Sequence, residues 1–163
     1  MAEADFAVAR ERRALEDFVE GAVYEYGPIS FSADEMVEFA RRYDPQLMHT
    51  DPEYAEAGPY GGLIASGWQT ASMMMRLVVD HYLPTTASIG SPGVDELRWH
   101  RPVRPGDALR LRITVLEVRP SQSKPDRGIL RSKWEALNQC DELVLSLAGV
   151  NFILTRAALA ESA

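Results

Sequence analysis

Residues 63–82 are the most apolar stretch of this chain, and the rest of the fold must be arranged around them. From Ala65 to about Tyr82 the polar residues Gln69, Ser72, Arg76 and Asp80 fall on one narrow side of a helix. Trp68, Ala71, Met73, Met74, Met75, Leu77, Val78 and Val79 take the remaining faces. A helix that is apolar over most of its circumference belongs inside something. A membrane is excluded, because Gln69, Arg76 and Asp80 interrupt the stretch. The cover must come from the chain itself.

Strand-like runs follow at 95–99, 108–118, 128–135 and 143–154, with turn signals at 102–107, 121–128 and 138–142. Ahead of the apolar segment lie shorter elements. Ser32-Ala33-Asp34-Glu35 is a capping box, and Met36, Phe39, Ala40 and Tyr43 follow at helical spacing. Asp44-Pro45 ends that helix, since the residue before proline is pushed out of the α region. Asp51-Pro52 opens another, with Asp51 as cap and Pro52 in the first turn. Residues 22–31 have mixed strand character broken by Gly27-Pro28, after a turn at Val19-Glu20-Gly21. Helices first and an antiparallel meander afterwards is an α+β plan. About five strands and one long buried helix predict a curved sheet wrapped around that helix, the hotdog architecture. The 163 residues make one domain, with 1–14 as an N-terminal extension that either forms a short helix or frays, and 15–163 as the folded unit.

Composition narrows the function. Acidic residues outnumber basic ones by 24 to 17, a net charge of −7, which excludes a general nucleic-acid binder. A small anionic ligand held at a local basic patch stays possible. Cys140 is the single cysteine, so no internal disulfide forms and a reducing compartment fits. Met1 to Arg13 carries no apolar block of a secretory leader, and the expected location is the cytoplasm.

Two constellations can carry chemistry. Asp44 and His49 are five residues apart, which on a continuous helix would set them about 140° from each other. Pro45 breaks the helix, and a turn can bring carboxylate and imidazole towards one point for acid–base work. The alternative is that Asp44 ends a helix and His49 opens a loop with no joint role. Ser66-Gly67-Trp68 opens the apolar helix, whose first N–H groups lack partners and sit at the positive end of the dipole. A glycine there lets a substrate oxygen approach the backbone, or serves only close packing. His81 reads as a helix-end residue, His100 as surface or interface, and Cys140 as chemically idle. Three scattered histidines and one cysteine give no metal-ligand spacing. Arg110 and Arg112 share a strand face, and Lys124 and Arg127 lie in the 121–128 turn; these either solvate the surface or hold phosphates of an anionic ligand.

The run Tyr43-Asp44-Pro45-Gln46-Leu47-Met48-His49-Thr50-Asp51-Pro52, followed by Tyr60-Gly61-Gly62-Leu63-Ile64-Ala65-Ser66-Gly67-Trp68, resembles the MaoC-like dehydratase family of hotdog proteins. Val94-Asp95-Glu96-Leu97-Arg98-Trp99 and Pro102-Val103-Arg104-Pro105-Gly106-Asp107 extend the likeness, which covers roughly residues 15–155. The resemblance implies a hydro-lyase, an (R)-specific enoyl-CoA hydratase adding water to a trans-2-enoyl-CoA or removing it. It implies Asp44 and His49 as the activators of one water and the Gly67 N–H as donor to the thioester oxygen. Gln46, Gly62, Ser66 and Trp68 are expected at the substrate. No metal or redox cofactor is expected, CoA being part of the substrate, and the expected partner is a second copy in a homodimer or higher oligomer. Three features depart from the hydratase pattern: Pro45 directly follows Asp44, Gln46 and Leu47 replace an Asn-Pro pair, and Ser66 and Trp68 flank Gly67. Two other activities remain open on the same fold: acyl-CoA thioester hydrolysis, and non-catalytic acyl-CoA binding.

Overall fold

The computed structural model describes residues 5–161. Five antiparallel strands, β1 (Val23–Ile29), β2 (Ser88–Trp99), β3 (Leu109–Pro120), β4 (Arg127–Leu137) and β5 (Leu143–Leu154), form one sheet in the order β1-β3-β4-β5-β2. Helices α1 (Ala33–Tyr43), α2 (Leu47–Thr50) and α3 (Pro52–Ala57) precede α4 (Gly67–Leu77), and α5 (Arg156–Glu161) closes the described chain. The fold is the α+β hotdog expected from the order of elements.

The sheet separates its two faces by alternation. On β3, Leu109, Leu111, Ile113 and Val115 point into the core, while Arg110 and Arg112 point outward to Glu25 on β1. Register aligns Ile113 with Trp134 and Trp134 with Leu147, giving a continuous apolar floor. Trp134 lies across Gly149, where an added Cβ would come within 3.0 Å of the indole. Met74, Leu77, Val78 and Tyr82 fill the space above this floor. Each such side chain contributes about 1.5–3 kcal/mol on full burial.

The apolar segment departs from its expected form in two ways. It is not one regular helix: α4 passes at Val78 into a wider π turn that runs to Tyr82. Its buried face is also rotated from expectation. Gln69 and Thr70 are inside with Met74 and Leu77, whereas Trp68, Met75 and Val79 are exposed. Hydropathy places Gln69 outside, but its Nε2 donates to the Glu35 carbonyl at 3.2 Å, which satisfies that half of the buried amide, while Oε1 has no partner among the described residues. The exposed residues 68, 72, 75 and 79 form a stripe along the other side.

The strand expected at 95–99 in fact begins at Ser88. Gly90 and Gly93 look like turn residues, yet they sit inside β2 with φ of 132° and 151° where its pairing with β5 shifts register. Positive-φ glycines here make bulges rather than ends. Likewise β1 passes through Gly27-Pro28 with a register shift against β3. Among the described residues of the N-terminal extension, Arg10–Arg12 is a short 3-10 turn, and Phe6 stacks on Tyr24 with ring centroids 4.3 Å apart. This part of the extension is docked on the core rather than frayed; residues 1–4 lie outside the described residues.

Candidate active site

Three local stops place the residues that matter. The capping box holds as expected: Ser32 Oγ accepts from the Glu35 N–H, and Glu35 receives the Ser32 N–H at 2.7 Å. That sets the start of α1, and Asp44 becomes its C-terminal cap, its N–H donating to the Ala40 carbonyl at 2.8 Å. Pro45 prevents continuation, and the single turn α2 then carries His49 back towards Asp44. The loop that follows is pinned at both sides: the Ala65 N–H donates to the Val103 carbonyl, and the Ile64 carbonyl meets His49.

The result is a compact polar cluster. His49 Nε2 lies 3.5 Å from Asp44 Oδ2. His49 Nδ1 lies 2.9 Å from the Ile64 carbonyl, which can only accept, so Nδ1 carries the proton. With the proton on Nδ1, the uncharged form of the ring presents the lone pair of Nε2 beside the carboxylate, and in that form two acceptors stand side by side. Ser66 Oγ donates to Asp44 Oδ2 at 2.7 Å, and Gln46 Nε2 donates to Asp44 Oδ1 at 2.7 Å. Gln46 first, then Ser66, and more weakly His49 hold the Asp44 carboxyl below the usual carboxylate range, against the opposing effect of partial burial. Asp44 is thus ionised at neutral pH.

Ser66 is fully buried and has a second task, as the N-cap of α4. Its Oγ accepts from the Trp68 N–H at 3.3 Å, so one hydroxyl ties Asp44 to the start of the helix. The Gly67 N–H, next to it, meets no acceptor among the described residues. It is a free donor at the positive end of an eleven-residue helix.

Asp44, Gln46, His49, Gly67 and Trp68 line one cavity of about 410 Å³. Ser66 lies behind that wall, attached to it through Asp44. Gly62 is not part of the lining; it belongs to the preceding turn, with φ 137° and the Arg104 side chain against it. Arg104 in turn donates to the Tyr60 carbonyl, and Tyr60 does line the cavity. Residue-by-residue reading missed Thr70, Trp99, Arg101 and Val103, which complete the walls. The tight fit of Trp99 against Gly67 had no local signal, because the two are far apart in sequence. His100, read as surface, is exposed and also lines the cavity, with Nε2 2.8 Å from Ser146 Oγ.

The basic residues considered for phosphates are placed elsewhere. Arg110 is bonded to Glu25 and Asp141, and Arg112 to Glu25, on the outer face of the sheet. Arg127 pairs with Asp126, and it and Lys124 border a separate 200 Å³ pocket with Ser121 and Ser123. His81 is exposed at the end of the π turn and stacks on Tyr26, and Cys140 is exposed. No group of three His, Cys, Asp or Glu suited to a metal ion occurs among the described residues. None of the described helices is long and apolar enough to cross a membrane.

Comparison with known proteins agrees with this architecture. Residues 17–133 match the family model of the MaoC like domain. The uncharacterized protein YdeM of Bacillus subtilis is 31% identical over 125 residues, covering 77% of this chain and 87% of that protein. A 3-hydroxyacyl-thioester dehydratase Z of Mycobacterium tuberculosis is 33% identical over 76 residues, 46% of this chain and 50% of that protein. The crystal structure of the MaoC-like dehydratase from Rhodospirillum rubrum superposes with a TM-score of 0.82 at 38% identity, over 88% of this chain and 97% of that one.

Proposed function

The chain belongs to the MaoC-like dehydratase family, a family of hydro-lyases, and on that premise we propose that it hydrates trans-2-enoyl-CoA thioesters to (R)-3-hydroxyacyl-CoA, or runs the reverse dehydration. One observation carries the reading: Asp44 Oδ2 and His49 Nε2 stand 3.5 Å apart as paired acceptors, beside the free Gly67 N–H in the same cavity. One water donating to both acceptors is oriented and made nucleophilic. Its oxygen bonds to the β carbon, and the pair takes its proton and returns it to the α carbon as the double bond is lost. Negative charge builds meanwhile on the thioester oxygen, where the Gly67 N–H and the dipole of α4 stabilise it. Gln46 and Ser66 act on Asp44: their hydrogen bonds keep it ionised and aimed at the water. The chemistry is acid–base throughout and calls on no metal or redox cofactor.

The working unit in this reading is a homodimer in the cytoplasm. β2 is an outer strand, exposed along most of its length, and carries Ile89 and Val94 at the surface. Edges of this kind need cover, and a second copy of the same strand supplies it.

Purified protein offered crotonyl-CoA is expected to form 3-hydroxybutyryl-CoA. Asp44→Asn and His49→Ala should each lower kcat by about 10²–10⁴, the usual worth of a general base. Wild-type turnover no better than that of the two variants would remove the assignment. Release of free thiol without hydration would identify a thioesterase instead.

A further inference from the structure

The mouth of the cavity is built from two indoles. Trp68 and Trp99 are 57% and 46% exposed, large values for tryptophan, and their rings meet edge to face with centroids 5.3 Å apart. Trp99 lies on Gly67 so closely that a Cβ there would fall 2.5 Å from its Nε1. The side-chain side of the Gly67 Cα is therefore covered by one indole, and the residue is followed in the chain by the other. Met48, Ile64, Ala65 and Val103 form the apolar wall of the cavity, and Ile64, Ala65 and Val103 are buried and cannot retreat without disturbing the loop that positions His49. At about 410 Å³ the cavity is at the small end of the range for ligand sites.

These constraints act on the same part of a substrate. An oxygen bonded to the Gly67 N–H, with the β carbon facing Asp44 and His49, leaves the remaining acyl carbons between the apolar wall and the two indoles. We propose that Trp68 and Trp99 together are the acyl-length filter of the site, admitting short acyl thioesters and turning away longer ones. The filter rests on the proposed acyl-thioester reading and adds to it the class of acyl group. The indoles do not touch the proton-transfer pair; they set how much chain fits beside it.

The test compares wild type with Trp68→Ala, Trp99→Ala and the milder Trp99→Phe. Hydration of crotonyl-CoA and trans-2-octenoyl-CoA is measured as kcat/KM, and binding of the unreactive butyryl-CoA and octanoyl-CoA by calorimetry. Wild type should favour the short ester in both measurements. Each alanine variant should shift the short-to-long ratio by about tenfold or more towards the long ester, as removal of steric bulk from an apolar pocket does, with Trp99→Phe between. A ratio unchanged in all three variants overturns the filter. So does a wild type that takes octenoyl and octanoyl esters as well as the short ones, or variants that lose self-association while keeping the ratio. Selective butyryl-CoA binding without hydration of any enoyl ester leaves the filter standing and removes the hydratase reading. No binding of either saturated ester removes both.

Discussion

Asp44 shows how single atoms set the reactivity of a residue whose type is ordinary. Its two oxygens are each taken by a neutral donor, Gln46 Nε2 on one and Ser66 Oγ on the other. Hydrogen bonds to the charged form favour it, so the carboxyl is depressed, and in the proposed reaction the base is available above that lowered pKa and lost as pH falls through it. Removing a donor raises that pKa, which moves the acid limb of the kcat/KM profile to higher pH. Ser66→Ala and Gln46→Leu should both show this displacement in a pH–rate profile, with the alkaline side unchanged. An acid limb that stays in place in both variants would mean Asp44 is not the group whose ionisation is read. Ser66→Ala should also cost about 1 kcal/mol of stability through the lost N-cap, visible as a lower urea midpoint.

Elements act by where they begin and end. The capping box of α1 fixes the start of the helix eleven residues before its C-terminal cap delivers Asp44. Ser32→Ala removes one side of that box and should destabilise the protein by about 1 kcal/mol in denaturant unfolding, with kcat changed far less. The start of α4 is more demanding. Ala at position 67 suits a helix, but its Cβ would press into the Trp99 indole, and only displacement of that half-exposed ring makes room. Gly67→Ala is therefore expected to leave the melting temperature nearly unchanged. It should lower kcat/KM on the order of tenfold to a hundredfold, since it misplaces the donor and the indole beside it by a fraction of an ångström to an ångström.

The whole molecule is held closed at the end remote from the site by its own N-terminal segment. The buried Arg13 guanidinium donates to the carbonyls of His81 and Tyr82, at 2.9 and 2.5 Å, and its face packs 3.5 Å over the Phe6 ring. These bonds satisfy carbonyls where the π turn ends, so the extension secures the element that begins at Gly67. Arg13→Ala should cost about 1–3 kcal/mol in unfolding free energy, the price of unpaired buried groups, with little change in KM. At the opposite edge, β2 predicts assembly. Val94→Lys places a charge on the exposed edge strand and should shift the sedimenting species from dimer towards monomer. A wild type that sediments as a monomer at all working concentrations would rule out the edge-to-edge pairing.

What was legible from sequence alone was everything that depends on near neighbours in the chain. The capping box at Ser32, the stop at Asp44-Pro45, the cap at Asp51, the opening of the apolar helix at Ser66-Gly67 and the alternating strands β3, β4 and β5 are local signals, and each appears where expected. They were enough to specify a sheet around a helix, and Asp44, His49 and Gly67 as the residues to watch. Tertiary structure alone decided which side of α4 is inside, because burial follows from the surface a helix meets and a hydrogen bond can carry Gln69 inward while Trp68 stays out. It decided that the glycines of β2 bend a strand rather than end it, since only pairing with β5 distinguishes a bulge from a turn. It also made the site: the Ser66–Asp44 bond spans 22 residues, the His49–Ile64 contact 15, and the seating of Trp99 on Gly67 depends on where β2 runs. Sequence periodicity records the chain's preference for a local shape. Distances between remote side chains follow only once sheet register and loop closure have set where those shapes lie.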